Sequence, residues 1–289
     1  MTVSDRIDAP LAPDAWRRRE LGIFLRSRRD RMHPPSDSAG SQRRRAKGMR
    51  REEVAVMLGV SPSWYTKLEQ GRDVTPSVRL LGRLADVLRL SGIEREQLMR
   101  LGVDDPAADI PEVDEAALPC ARMIIDAMPT SPAFVLNARA DYIACNRAAR
   151  ALFGDFETFA GKGNQLIALF LDDAARRSLP EWIESARSQV AMFRTAFARF
   201  VQDQRVRELV TTLLEKSPEF RDLWDEYELP SHSSRVVRCG LLEGSPLGFH
   251  HFTFFADLDQ QLRVEVFNPM DDYTAAHMAD LVATAPAIA

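Results

Sequence analysis

Over the first hundred residues, apolar positions recur at helical spacing. Leu21, Phe24 and Leu25, with Arg28, trace one face of a helix predicted over about 17–32. Leu80, Leu81, Leu84, Val87 and Leu88 trace another over 77–90, and a helix over 94–101 closes the bundle. Between the first and these last two, 51–71 reads as two short helices joined by a tight turn. Ala55 is small where the pair must approach, and Gly59 suits a turn that needs positive φ. Val60, Tyr65 and Leu68 fall where they turn against the first helix of the pair. Ser61 is placed to cap the second, and Pro62 fits its first turn, where no amide proton is required. Each feature alone also suits an ordinary helical hairpin. Their combination is that of a helix-turn-helix whose second helix enters a DNA major groove.

After Gly102 the pattern changes. Residues 102–114 are acidic, contain Pro106 and Pro111, and show no sustained periodicity, so they read as a linker. A helix bearing Leu118, Ile124, Ile125 and Met128 then stops before Pro129. Two short strands follow, 133–137 and 142–145, and Asn146 is placed to cap a helix carrying Ala149, Leu152 and Phe153. Beyond Leu179 the period is helical again, with Trp182, Ala186, Val190, Phe193 and Phe197 on one stripe. Further helices bear Val206, Leu209, Val210 and Leu213, then Phe220, Leu223, Trp224 and Tyr227, the latter opened by Ser217-Pro218. Three β-like runs, 235–240, 249–255 and 262–267, come last, with a short helix after Asp272. Two strands, a block of helices and three strands define an α+β domain with an antiparallel sheet and inserted helices. The expected division is a tail over 1–16, a helix-turn-helix domain over 17–102, a linker over 103–114 and the α+β domain over 115–289.

Charge sharpens this division. The 289 residues carry a formal net charge of −4, which says little about partners. Split after Gly102, the first part holds 21 basic and 13 acidic side chains and the remainder 17 and 29. A basic head on an acidic body is expected where one half meets phosphate and the other does not. Within the head, Arg43, Arg44 and Arg45 lie in a polar stretch between the first two helices, longer than most bundle loops, and suit phosphate contact. With Tyr65 and Leu68 facing inward, Ser63, Thr66 and Lys67 face outward, Lys67 towards guanine acceptors. Arg51 and Ser61 at the helix starts, and Gln70 and Arg72 at the far end, complete the expected DNA-binding set. Trp64 suits packing against the first helix better than contact with a thymine methyl.

The quoted residues go further in combination. The stretches 43–55 and 65–72, Pro132-Ala-Phe-Val-Leu136 leading to Asn146-Arg-Ala-Ala-Arg-Ala-Leu-Phe153, and Ser217-Pro-Glu-Phe-Arg-Asp-Leu-Trp224 together resemble the MmyB-like family of bacterial transcription regulators. The resemblance spans nearly the whole chain. It implies an N-terminal Xre-type helix-turn-helix domain and a C-terminal PAS-like domain, with a pocket associated with fatty-acyl-like molecules. The chain departs from the family where a His-Pro pair usually opens the late sheet: it has Ser231-His-Ser-Ser234 and an unusual 241–251 stretch.

No Gly-rich phosphate loop, Gly-x-Ser-x-Gly elbow, His-Glu-x-x-His or Cys-x-x-Cys spacing is present, so neither an enzyme nor a cofactor is expected. Cys120, Cys145 and Cys239 stand too far apart to suggest metal ligation and read as thiols of a cytoplasmic, nucleoid-associated protein. No stretch suits a membrane span, and the N-terminus lacks a signal-peptide pattern. For a ligand, the candidates are Phe134, Trp182, Phe193, Phe197, Trp224, His250, Phe252 and Phe254, each equally suited to the core. The alternation places His250, Phe252 and Phe254 on one strand face, apolar wall beside polar handle. The expected protein is a homodimeric regulator of double-stranded DNA, a repressor that senses a small apolar, fatty-acyl-like molecule. A C-terminal domain that only dimerises or binds a partner protein, or a DNA-tethered enzyme, are the alternatives.

Overall fold

The computed structural model describes residues 12–33, 48–103, 117–154, 163–230, 234–239, 246–256 and 262–285, without the side chains of residues 174 and 234. The chain divides into two units. The first comprises Met1–Asp109 with Phe197–Glu208 and Asp222–Leu229, the second Ile110–Ala196, Leu209–Arg221 and Pro230–Ala289.

In the first unit, α1 (Pro13–Arg31), α2 (Arg51–Leu58), α3 (Pro62–Glu69), α4 (Val78–Val87) and α5 (Gly92–Gly102) surround one core. Phe24, Leu25, Val54, Ala55, Leu58, Tyr65, Leu81, Ala85 and Leu98 are fully buried there. Gly59 ends α2 in the left-handed region at φ 69°. The turn is closed by Val60 N donating to Ala55 O at 3.0 Å. Ser61 Oγ then accepts from Trp64 N at 3.1 Å and caps α3, with Pro62 at the first helical position. Helix α1 lies directly against the end of α3: a Cβ on Gly22 would sit 2.5 Å from the Glu69 carbonyl oxygen. Ala198 and Tyr227 are buried in the same core. Tyr227 O accepts from Arg28 Nη2 at 3.2 Å, and Trp224 Nε1 donates to Glu20 Oε1 at 3.2 Å.

The second unit is the α+β arrangement that the periodicity predicts. Its elements are α6 (Ala117–Asp126), β1 (Ala133–Leu136), β2 (Tyr142–Cys145), α7 (Arg147–Phe153), α8 (Gln165–Leu171), α9 (Asp173–Arg177), α10 (Trp182–Arg199, passing to the first unit at Phe197), α11 (Gln204–Lys216, belonging to the first unit up to Glu208), α12 (Pro218–Glu226, passing to the first unit at Asp222), β3 (Ser234–Cys239), β4 (Leu247–Phe255), β5 (Arg263–Pro269) and α13 (Asp272–Thr284). The five strands run in the order β2-β1-β5-β4-β3, every pair antiparallel. Asn146 pins the entry to α7. Its Oδ1 accepts from Ala149 N and Ala133 N at 2.9 and 3.0 Å, while Nδ2 donates to the carbonyls of Ile125, Met128 and Ser131.

Strand alternation sorts the residues between two sheet faces. Ala133, Val135, Val264 and Val266 pack with Ala121 and Ile125 of α6. Phe134, Leu136, Val237, Phe249 and Phe267 point the other way and pack with Ala148, Ala149 and Met278. Glu265 pairs in register with Phe134 and shares that second face. Helices α8 and α9 were not among the expected elements.

Candidate DNA interface and ligand cavity

The outer face of α3 presents Ser63 and Lys67, with Thr66 half-buried between them, and Gln70 and Arg72 exposed just beyond the helix. Ser61 is exposed as well, its hydroxyl engaged in capping. Trp64 is half-buried and packs against the core. Arg51 is placed differently from a free phosphate ligand: its Nε reaches Glu69 Oε1 at 2.7 Å. Glu69, fully enclosed, is also gripped by Arg29 through Nε and Nη2 at 2.7 and 2.8 Å. Burial alone would lower the Arg29 pKa, but the hydrogen-bonded Glu69 carboxylate raises it above its ordinary value. This ion cluster fixes α1, α2 and α3 to one another, and so sets the angle at which the outer face of α3 is presented. Arg43, Arg44 and Arg45 lie outside the described residues.

Helix α4 adds Arg79 and Arg83, both exposed, which the sequence reading passed over. The Arg83 Nη2 lies 3.6 Å from where a Cβ on Gly59 would stand, over the turn between α2 and α3. Arg50 is exposed at the start of α2. Cations therefore flank the turn and both ends of α3. Helix amphipathicity carries the signal for the pair on α4, since Leu81, Leu84 and Ala85 take the inner face and leave Arg79 and Arg83 outside.

In the second unit, a cavity of about 60 Å³ lies between the sheet and the helices α8 to α10. Phe134, Tyr142, Phe153, Leu169, Leu179, Val237 and Phe267 form its apolar wall. Gln165, Ser178, Ser185, Gln189, Arg235 and Glu265 supply polar groups. Glu265 is fully buried. Its Oε2 accepts from Gln165 Nε2 at 2.8 Å and faces His251 Nε2 at 3.4 Å, and its Oε1 accepts from Gln189 Nε2 at 3.0 Å. Arg263 Nε stands 3.2 Å from Oε1. Burial would push the Glu265 carboxyl up. The Arg263 guanidinium, His251 and the Gln165 amide outweigh it and hold the group well below the usual carboxylate range. Tyr142 retains accessible surface, yet burial pushes its phenol above the ordinary value. Tyr142 is among the residues that line the cavity.

Of the eight side chains expected at a ligand site, Phe134 lines this cavity. Phe193 is buried in the helical layer, and half-buried Trp182 packs edge-on against Phe170 at 6.2 Å. Phe197 and Trp224 meet edge-on at 5.3 Å in the core of the first unit. His250, Phe252 and Phe254 do share one face of β4, but it is exposed and opposite the cavity. His251, one position along, is the histidine that points inward. Among the described residues, no cluster of His, Cys, Asp or Glu has the makings of a metal site. No helix among them is long and apolar enough to cross a membrane.

An outward-facing second helix braced by the core, in one unit, and a lined cavity under a sheet, in the other, define a DNA-binding regulator with a ligand-sensing domain. Residues 20–98 match the family described as helix-turn-helix domain, and residues 118–281 match the MmyB-like transcription regulator ligand binding domain. The chain belongs to the MmyB-like transcription regulators. No curated protein matches it.

Proposed function

We propose that this chain is a cytoplasmic, homodimeric repressor that binds double-stranded DNA through α3 and releases it when a small, acyl-like molecule enters the cavity. The observation that carries the reading is the presence in one chain of an exposed Ser63–Lys67 face and a cavity walled by Phe134, Phe153 and Phe267. Ser63, Thr66 and Lys67 supply base contacts. Arg50, Arg72, Arg79 and Arg83 supply phosphate contacts. Arg51 contributes its remaining exposed nitrogens while bracing Glu69. A ligand acts by binding two arrangements of the protein unequally, so that its affinity difference appears as a change in DNA affinity.

The test is selection of sequences from a random double-stranded library by the full-length protein, followed by titration of the selected site. Lys67→Ala is expected to weaken that site by roughly 1–3 kcal/mol and relax one base position. Unchanged affinity and specificity would remove Lys67 from the interface. Placing the selected site within a promoter checks the sign: repression supports the reading, and activation replaces it with an activator.

A second reading has a specific observation in its favour. Val236, Phe252 and Phe254 are exposed with His250 on the outer sheet face, as a surface for a second copy or a partner would be. Native mass spectrometry of the fresh protein separates the two. A retained small molecule supports sensing, and an empty dimer favours the docking role.

A further inference from the structure

Helical periodicity gives α1 two nearly opposite working sides, Gly22 and Arg29 on one and Glu20, Phe24 and Arg28 on the other. The first side holds α3, through the close approach to the Glu69 carbonyl and the Arg29–Glu69 ion pair. The second side meets α5 and residues that arrive from far along the chain. Trp224 Nε1 donates to Glu20 Oε1, 204 positions away, and Arg28 Nη2 donates to Tyr227 O, 199 positions away. The Tyr227 ring lies 5.5 Å from that of Phe24, and its hydroxyl accepts from Gln97 Nε2 of α5 at 3.4 Å. The Arg28 guanidinium stands over both rings, with Nε 2.8 Å from Glu94 Oε1. Phe24, Trp224 and Tyr227 are fully buried. Tyr227 also takes φ 52°, in the left-handed region where a helix end favours glycine and a bulky residue is strained. The position thus carries backbone strain in exchange for what the tyrosine side chain reaches.

We propose that Trp224 and Tyr227 are positioning residues for DNA recognition: they seat α1 from behind, and α1 in turn sets α3. This assignment rests on the reading of α3 as the recognition helix, and it extends the machinery of recognition to side chains far outside 51–72. Without the Tyr227 ring, space opens beside Phe24 and Arg28, and α1 shifts towards it. Helix α3 follows, because its end is locked to α1 through Gly22 and Arg29. Ser63, Thr66 and Lys67 then lose their alignment with base edges, where directional hydrogen bonds tolerate little displacement. Phosphate contacts from long arginine side chains accommodate the same shift. Sequence-specific binding therefore depends on Trp224 and Tyr227 more strongly than non-specific binding does.

The experiment measures affinity of the full chain for the selected site and for a random-sequence duplex of equal length, with hydrogen exchange of the free protein alongside. Tyr227→Gly suits the left-handed backbone and removes only the side chain. It is expected to weaken the selected site by roughly ten-fold or more and to leave the random duplex unchanged. Amide exchange should quicken in α1 and α3 but not in β1 to β5. Tyr227→Phe, which keeps the ring and the bond from Arg28, should stay within about three-fold of the wild type on the selected site. If Tyr227→Gly does not fold, Trp224→Phe, which deletes the bond to Glu20 and keeps a ring, should show the same selective loss at smaller size. An equal loss on both duplexes marks a merely structural role and overturns the proposal, as does an unchanged affinity for the selected site. If the wild type selects no sequence, the DNA reading falls by itself and exchange decides the rest. Faster exchange in α1 and α3 then keeps Tyr227 as the residue that seats α3, and unchanged exchange overturns it.

Discussion

Glu265 places a charge where β5 otherwise buries valines. Val264 and Val266 on either side of it face α6, so the alternation read from sequence would turn Arg263 and Glu265 outward to solvent. Both faces of this strand are in fact covered, and the charged side chains meet inside. Period-two reasoning assumes one wet face, which is why Glu265 and its partners were illegible while Phe134 was not. The consequence is a pH dependence. Glu265 is held below its ordinary value of 4.5, so its stabilising contribution is fully present above that pH and is lost as pH falls below it towards the depressed folded value. Urea unfolding of the wild type should therefore weaken steeply from pH 5 to pH 3. Glu265→Gln should be less stable at pH 7 and show a shallower acid slope. Parallel slopes for the two proteins would remove Glu265 from the acid response.

At the scale of elements, the turn between α2 and α3 was legible because its residues act locally. Gly59 takes the left-handed conformation, Ser61 caps, and Pro62 begins the helix, each within a few residues of its partner. Helix α8 was not legible for the opposite reason. Gln165-Leu-Ile-Ala-Leu-Phe-Leu171 is a short, nearly unbroken apolar run, which suits a buried strand as well as a buried helix until its neighbours are known. The Asn164 cap, whose Oδ1 accepts from Leu166 N and Ile167 N, was the missed local signal. Packing between helices is likewise outside a one-dimensional pattern, and Gly22 shows it. The position looks like an ordinary weak link in α1, yet its missing Cβ admits the backbone of α3. Adding a methyl there forces main chain to move, since the obstructing atom is a carbonyl oxygen 2.5 Å away. Gly22→Ala is expected to destabilise the first unit by about 1–3 kcal/mol despite its better helix propensity. A higher unfolding midpoint in urea would show that α1 and α3 separate freely.

For the whole molecule, the uneven charge is the property that survives averaging. The part up to Gly102 holds eight more basic than acidic side chains, while the rest is acidic, so attraction to DNA is concentrated in that part rather than spread over the chain. One recognition helix reads too few base pairs for a unique site, and a two-fold arrangement doubles both the bases read and the phosphates neutralised. Two copies therefore predict a footprint of two inverted half-sites about 10–10.5 base pairs apart, or a multiple of that spacing. They also predict a steep salt response, because each phosphate contact contributes about −0.9 to the slope of log affinity against log salt. Replacing Arg79 and Arg83 together removes two proposed phosphate contacts per copy and should flatten that slope by roughly 3–4 for a dimer, against about half as much for a monomer. The footprint and the slope are independent readings of the same stoichiometry. A single half-site protected, with a slope change near the smaller figure, would make the DNA-bound form a monomer.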